Sequence, residues 1–565
     1  MLDAIYKLGE LVIKKEQLNL LNILLPNKEL DTVITVEIIQ KDNQFKYNKT
    51  FQEDYDSNNY IKYLNKGGNG NGLNPSPSAQ LTKDWEIKTY PKKFLKWFET
   101  HKKETELFAQ LNEILTENNQ LILKDIKTIY ETVDKKKKIL LTLCIVKDNE
   151  KFYFGDIPEF KDTLKKNYIM KYSNFGSKKI KGNGVCRFCN EHKTVYGNVL
   201  PALDLKFATS EKLGNTPDSI LTNQWKQVPI CYDCASYLSA GKNFIEKYLN
   251  FEEDGLTYYV IPNFIFESEE GFNKLYQIVT RLNNQNSTNI SNLEHKLSII
   301  SKNLNDIVEL KFLFYEKDKN AFNILNHIDG GIPSHISKLH NLQNIVINDK
   351  KYESLHKSYL NSEITFYEDN WYKLILKTFE FSIKEYLEII ENILTNKNIN
   401  YPLLLSHIMD KLRDDLNKKD DLNKNDSFMK NDFLKAMMLI HLLNELKNQG
   451  DNMNLETHDK RCCYYAGRLV RRVINAQYYD GKTNTPFKNQ TYGLRLDENK
   501  IRNIIVKSIA KLDEYKKGYY KDLSDEFNED FKESLTQWDL TNDETSWYFL
   551  VGYLEPKKEE PEKEN

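Results

Sequence analysis

Four of the chain's seven cysteines stand in two Cys-x-x-Cys pairs, Cys186-Arg187-Phe188-Cys189 and Cys231-Tyr232-Asp233-Cys234, with 41 residues between them. Two thiolates at that spacing can grip one ion from a tight turn, and two such turns complete a tetrahedral site. That donor set suits one zinc ion per chain. It leaves no open position for water, so the zinc would be structural rather than catalytic. Gly182 and Gly184 precede the first pair and suit a knuckle that needs unusual backbone angles, while Val228-Pro229-Ile230 leads into the second. The plainer alternative is two redox dithiols, although those usually stand alone on a thioredoxin-like pattern. Cys189-x-x-His192 is also a legal ligand spacing, but four thiolates already satisfy the ion.

The basic residues form the second chemical pattern. Residues 460–521 hold 15 Lys or Arg against 5 Asp or Glu, and residues 522–565 hold 14 acids against 4 bases. The formal net charge of −2 therefore hides a basic band beside an acidic one. Arg468, Arg471 and Arg472 sit at helical spacing; Arg495, Arg502 and Lys511 continue the band, with Tyr478, Tyr479 and Tyr492 between them. Such a surface can neutralise a nucleic-acid backbone and stack on bases. It can equally be a solvated face that pairs with the acidic helices of the same bundle. Lys165, Lys166, Lys171, Lys178, Lys179 and Lys181 precede the first knuckle, and Arg187 lies inside it. The run Lys135 to Lys138 reads as an exposed turn before a strand.

A glycine stretch, Gly67, Gly68, Gly70 and Gly72, could bring backbone close to a DNA groove. It lacks the Gly-Lys-Ser/Thr ending of a P-loop, so a flexible loop is the default. His458-Asp459 and His327-x-Asp329 lack the further ligands of a nuclease site, and no nucleophile elbow is present. Cys462-Cys463 reads as helix core.

The elements that must position these residues follow from periodicity. Residues 2–25 read as one amphipathic helix ended by Pro26, and 32–39 as a β-branched strand. Phe45 to Tyr47 and Tyr60 to Tyr63 are plausible strands, 92–130 is helical, and Ile139 to Phe154 is a hairpin across Lys147 to Glu150. Thr257 to Phe266 and Ile307 to Tyr315 read as strands. From Trp371 to Leu394 a long helix is expected, with others at 401–416, 430–448, 460–479, 498–519 and 545–554; a charged linker, 418–426, separates two of them.

The expected fold is α+β. A mixed α/β domain covers 1–180, with an inserted four-cysteine zinc module at 181–250 and a continuation of the α+β region at 251–365. A helical connector follows at 366–428, then an all-α bundle at 429–554 and a disordered acidic tail at 555–565. The chain begins without a signal-peptide pattern, has few cysteines and contains no apolar run of about 20 residues, which points to a soluble cytoplasmic protein without membrane contact.

With these features in place, the chain resembles the large subunit of the type I-B CRISPR interference complex, Cascade. The resemblance spans most of the chain. It is carried by the N-terminal Met1-Leu2-Asp3-Ala4-Ile5-Tyr6-Lys7-Leu8-Gly9-Glu10, the two cysteine pairs, Tyr465-Ala466-Gly467-Arg468-Leu469, Thr485-Pro486-Phe487, and Tyr548-Phe549-Leu550-Val551-Gly552-Tyr553. It implies a non-enzymatic subunit near the CRISPR RNA 5′ handle that recognises the protospacer-adjacent motif in target double-stranded DNA. The implied partners are the CRISPR RNA, the target DNA, the backbone, handle-proximal and small subunits, and the helicase–nuclease that the subunit helps recruit. Related large subunits use glycine-rich loops and lysines in the minor groove, which adds weight to Gly67, Gly68, Gly70 and Gly72. The C-terminal bundle resembles the small subunit, which in this subtype can be made from an internal start; Met429, Met437, Met438 and Met453 are possible starts. Close helix packing would explain Gly467 and Gly552. The rival readings are a zinc-containing nuclease or nucleic-acid-modifying enzyme, and a zinc-stabilised protein-interaction adaptor.

Overall fold

The computed structural model describes residues 1–25, 30–41, 44–66, 73–134, 136–205, 220–253, 255–264, 269–284, 299–300, 308–318, 321–352, 355, 371, 374–417, 422–447, 455–479, 487, 491, 493–516 and 521–554. The glycine stretch 67–72, Lys135, Met453, Thr485-Pro486, Tyr492 and the acidic tail lie outside them. The chain divides into two compact units. The first comprises Met1–Glu252, Leu256–Asn284 and Lys311–His327; the second comprises Glu253–Gly255, Gln285–Leu310 and Ile328–Asn565.

In the first unit, α1 (Leu2–Glu16) and α2 (Leu20–Leu24) replace the single expected helix. Gln17 turns left-handed (φ 51°), and Asn19 caps the new helix by accepting from the Asn22 N–H, so a local cap overrides the apolar period. Strands β1 (Thr32–Lys41) and β2 (Gln44–Asp54) form an antiparallel pair. Tyr60–Tyr63 is a short 3-10 turn, not a strand. Tyr63 is buried there, stacked on Tyr55 and edge-on to Tyr153, and that single buried ring outweighs the aromatic preference for a strand. Next come β3 (Ala79–Leu81), α3 (Lys96–His101), α4 (Glu106–Glu117) and α5 (Asn119–Thr132). The expected hairpin is β4 (Ile139–Lys147) and β5 (Glu150–Tyr153), joined through Asp148 (φ 51°) and Asn149 (φ 67°).

These strands form one sheet in the order β2-β1-β4-β3, with β5 also paired to β4. β1 and β4 run parallel, Thr32 opposite Ile139 through Ile39 opposite Val146. Both are buried along most of their length, as a strand covered on two faces must be.

The chain then runs through α6 (Pro158–Ser173), the ribbon β6 (Asn174–Phe175) and β7 (Lys178–Lys179), and β8 (Lys181–Val185) and β9 (His192–Tyr196). After α7 (Val199–Ala202) it reaches β10 (Ile230–Cys231) and α8 (Tyr232–Tyr248). A second sheet, β11 (Asn250–Glu253), β12 (Leu256–Phe264), β13 (Val308–Asp318) and β14 (Ala321–Gly331), is paired in sequence order, and α9 (Glu269–Asn284) lies between its middle strands in the chain. α1 packs against both α8 and β12.

The second unit is helical. It holds α10 (Pro333–Ile347), α11 (Ile383–Leu394), α12 (Tyr401–Asn417), α13 (Leu422–Leu446), α14 (His458–Tyr479), α15 (Glu498–Glu514), α16 (Lys521–Ser534) and α17 (Asn542–Leu554). The long helix expected from Trp371 is interrupted. A π-helical turn over Leu374–Thr378 gives way at Glu380 (φ 54°), and Ser382 with Glu385 forms a capping box that starts α11. The charged linker is shorter than expected, because α13 begins at Leu422.

The centre of this unit is α14, which packs on α15, α16 and α17. Its Gly467 meets Gly552 of α17. A methyl group on Gly467 would lie 2.0 Å from the Phe549 carbonyl oxygen, and one on Gly552 would lie 1.9 Å from the Tyr464 carbonyl oxygen. The two backbones are in contact, so neither position accepts a side chain. Gly467→Val should therefore destabilise this unit by about 2–3 kcal/mol. Amide exchange should read the loss across 464–473 and 547–554; unchanged protection there would refute the close crossing.

A buried acidic pair joins α12 and α13. Lys411 Nζ lies 2.7 Å from Asp415 and 3.4 Å from Asp432. Burial, and then the neighbouring Asp415, push the Asp432 carboxyl up to about 6; Lys411 acts against them. The folded protein thus holds this proton more tightly than the unfolded chain. The stabilisation from that proton is present below about pH 4 and is lost as pH rises through about 6. Asp432→Asn, whose amide can donate to Asp415 at any pH, should raise stability by about 1–3 kcal/mol at pH 7.5 and by less at pH 4.5. Urea denaturation at the two pH values checks this; a pH-independent difference would contradict it.

Candidate metal centre

The four cysteines converge. Their Sγ atoms all lie within 4.8 Å of one another, and Cys189 and Cys231 are 3.9 Å apart at sulfur. All seven cysteines of the chain are unbridged. A tetrahedron with metal–sulfur bonds of about 2.3 Å has edges of about 3.8 Å, so the cluster is sized for one ion. Disulfide pairs, whose sulfurs sit about 2 Å apart, do not fit these distances.

Backbone geometry builds the cluster from two different turns. In the first, the Cys186 N–H donates to Glu191 O and the Asn190 N–H to Cys186 O, with Asn190 left-handed (φ 58°). In the second, β10 ends at Cys231 and α8 begins at Tyr232, so Cys234 faces back from the first helical turn. The turns are joined by the Arg187 N–H donating to Pro229 O and the Cys231 N–H donating to Cys186 Sγ at 3.4 Å. Burial raises the Cys186 thiol, but the backbone N–H groups of Cys189, Cys231 and Phe188 outweigh it and hold it at about 7. Burial pushes Cys231 up to about 11 and Cys234 further still, the remaining thiols adding to it for Cys234. Crowded thiols with donors aimed at one sulfur fit a divalent soft-ligand cation, Zn²⁺ above all. His192 is exposed on β9 and stands outside the cluster.

Gly182 and Gly184 serve a purpose other than the one their sequence position suggests. Neither has a left-handed backbone. They share one face of β8, and the Trp225 indole lies on that face. A methyl on Gly182 would sit 2.3 Å from the ring, one on Gly184 2.9 Å. A methyl on Gly197 would meet the Ile180 side chain at 2.5 Å and the Trp225 backbone N at 2.8 Å. Trp225, missed from sequence, therefore packs across the β8 face of the module.

α1 completes the surroundings. Tyr6 stacks on Phe188 at 4.6 Å and 8°, and meets Tyr237 of α8 edge-on. Asp3 pairs with Arg187 at 3.1 Å. Gly9 of α1 and Gly241 of α8 let the helix backbones touch: a methyl on Gly9 would lie 1.9 Å from the Tyr237 carbonyl oxygen.

The basic candidates separate by placement. Lys178, Lys179 and Lys181 are exposed on β7 and β8, and Arg495 is exposed. Arg187 is exposed but held by Asp3. Arg468 and Arg472 are half-buried on α14, with Arg468 over the Tyr464 ring. Arg471 donates to the Tyr553 carbonyl at 3.0 Å and lies over that ring. Arg502 pairs with Glu498, donates to Ser534 O at 2.9 Å and covers Trp538. Arg471 and Arg502 thus hold the bundle together. Cys462 and Cys463 are fully buried, as a core reading requires. His458, which looked isolated in sequence, bonds Asp530 at 2.7 Å, and Arg461 bonds the same carboxylate at 2.8 Å. That cluster ties α14 to α16.

Three consecutive segments match the CRISPR-associated protein TM1802 family: its N-terminal domain over residues 1–166, its central domain over 183–330 and its C-terminal domain over 370–565. The fold and the cysteine site therefore belong to a CRISPR-associated protein, as the resemblance implied. The chain is a member of the TM1802 family. No curated protein matches it. Among the described residues, no helix is long and apolar enough to cross a membrane.

The purified chain should carry about one zinc, measured by atomic emission. Cys186→Ser, which removes the buried sulfur that accepts the Cys231 N–H, should abolish metal binding. Tyr6→Ala should keep the metal and lose about 1–2 kcal/mol of packing. A Cys186→Ser protein that retained its zinc would overturn the four-thiolate site.

Proposed function

We propose that this chain is the non-catalytic large subunit of an RNA-guided type I-B CRISPR surveillance complex, with one structural zinc. In this reading it contacts the CRISPR RNA 5′ handle, recognises the protospacer-adjacent motif in duplex DNA and helps recruit the helicase–nuclease. The observation that carries the reading is the family match, which runs through all three segments in order. The cysteine cluster supports it, because four sulfurs fill a tetrahedral ion and leave no site for an activated water.

In such a complex, base pairing reads most of the target while protein reads a short motif and the backbone. The residues best placed for backbone contact are those with exposed charge, Lys178, Lys179, Lys181 and Arg495. Lys178 and Lys179 sit on a two-stranded ribbon, and Lys181 begins the strand that Trp225 and the cysteine cluster stiffen. A rigid support reduces the ordering cost of each phosphate contact.

The test is co-expression of the chain with a CRISPR array and the neighbouring subunits, followed by duplex binding at several salt concentrations. Co-purification with guide RNA and preference for duplexes carrying one short flanking motif are expected. Lys179→Ala with Lys181→Ala should weaken binding uniformly across sequences and lower the salt slope by about one per lost contact. Arg502→Ala should instead lower stability. Equal affinity for duplexes with and without any flanking motif would sink motif recognition. Loss of all duplex binding would favour a protein-interaction adaptor, and metal-dependent cleavage by the purified chain would favour a nuclease.

A further inference from the structure

A cavity of about 530 Å³ in the first unit lies between α6, α7 and α8, apart from the cysteine cluster. Its size is that of a pocket for one small organic ligand. Three lysines from three separate elements line it: Lys66, Lys171 of α6 and Lys242 of α8. Lys66 Nζ sits 5.8 Å from the centre of the Tyr168 ring, which also lines the cavity, and Lys242 pairs with Glu246 at 2.6 Å. Asp204 is the acid on the wall. Met170 adds an apolar side chain that is 48 % exposed.

Lys171 is an exposed residue of α6, yet the protein around its ammonium partly desolvates it. That desolvation holds its pKa below the ordinary lysine range; Asp204 opposes the shift and Lys242 adds to it. An amine so placed gains when an anion enters. The wall also carries Lys66 and Leu73, the described residues that bracket the glycine stretch. Their positions are fixed by Ser76, which accepts from the Lys66 N–H at 3.0 Å, and by Asn167, which donates to Pro75 O at 3.0 Å.

We propose that this cavity binds one phosphorylated nucleoside, its phosphate between the Lys66, Lys171 and Lys242 ammonium groups and its base against Tyr168 and Met170. A nucleotide unit of a single strand and a free nucleotide share this chemistry. The strand source rests on the nucleic-acid reading above; the cavity itself does not.

Two substitutions of opposite sign test it. Lys171→Glu places an acid on the wall, and Asp204→Asn removes one; both positions are exposed, so the fold is kept. Fluorescence anisotropy of the full chain with a labelled eight-nucleotide single strand, and calorimetry with adenosine monophosphate, give the two arms. About tenfold weaker binding for Lys171→Glu and a few-fold tighter binding for Asp204→Asn are expected, in the strand arm, the mononucleotide arm or both. Response in the mononucleotide arm alone assigns a free-nucleotide site and leaves the strand reading without support. Strand binding indifferent to both substitutions would place nucleic-acid contact elsewhere. With that indifference matched in the mononucleotide arm, or with no binding in either, the cavity inference is overturned.

Discussion

The contact on which the first unit depends is the crossing of its first helix over the helix that follows the second cysteine pair. Gly9 and Gly241 bring the two backbones together, and nothing with a side chain would fit. Once that crossing is set, Tyr6 reaches Phe188 between the first two cysteines, and Asp3 reaches Arg187 beside it. The knuckle is then held by sequence positions almost 200 residues away. The same helix packs on β12, so it also ties the cysteine module to the second sheet. The second unit repeats the device with Gly467 and Gly552. In both, glycine trades helix propensity, about 1 kcal/mol per residue, for backbone-to-backbone packing.

Charge has a different distribution in space than in sequence. The basic band over 460–521 looks like a surface, yet Arg471 and Arg502 each donate to a carbonyl at the end of a neighbouring helix, and Arg502 also pairs with Glu498. An arginine fork satisfies carbonyls that a helix end leaves open, which a lysine does less well. The neighbouring acidic helices provide the counter-charge, Asp530 for His458 and Arg461, Asp543 for Arg413. The near-neutral total is thus partly internal pairing within the helical unit. The cations left exposed, such as Lys178, Lys179 and Lys181, come from a short run beside the cysteines.

Much of this was legible where spacing alone decides the outcome. Cys-x-x-Cys pairs meet because a four-sulfur site demands it, and β1 and the β4–β5 hairpin follow from β-branched runs and an Asp-Asn turn. Gly467 and Gly552 were readable as packing positions through the family resemblance, and the close helix crossing accounts for both. The misses share a cause: a local interaction beat the period. Asn19 and Ser382 cap new helices inside runs that look continuous, and Tyr63 leaves a strand-like segment to fill a core. Trp225 was invisible because its partners, Gly182, Gly184 and Gly197, carry no side chain to mark a contact. The lysines of the cavity come from three distant elements, and no single stretch of sequence could show them together.

The cysteine site therefore acts on the fold more than on chemistry. Strands β8, β9 and β10 contribute five, five and two residues, too little sheet to stand alone in water. Trp225 and the Tyr6 stack add apolar cover, but the hydrogen bonds between the two cysteine turns form only when both are in place. An ion held by all four sulfurs would close the 41-residue excursion between the pairs and convert binding energy into folding energy. The lysines on β7 and β8 then project from a stiff frame instead of a loop. In the role proposed above, that stiffness would let each phosphate contact form without first ordering the chain that carries it.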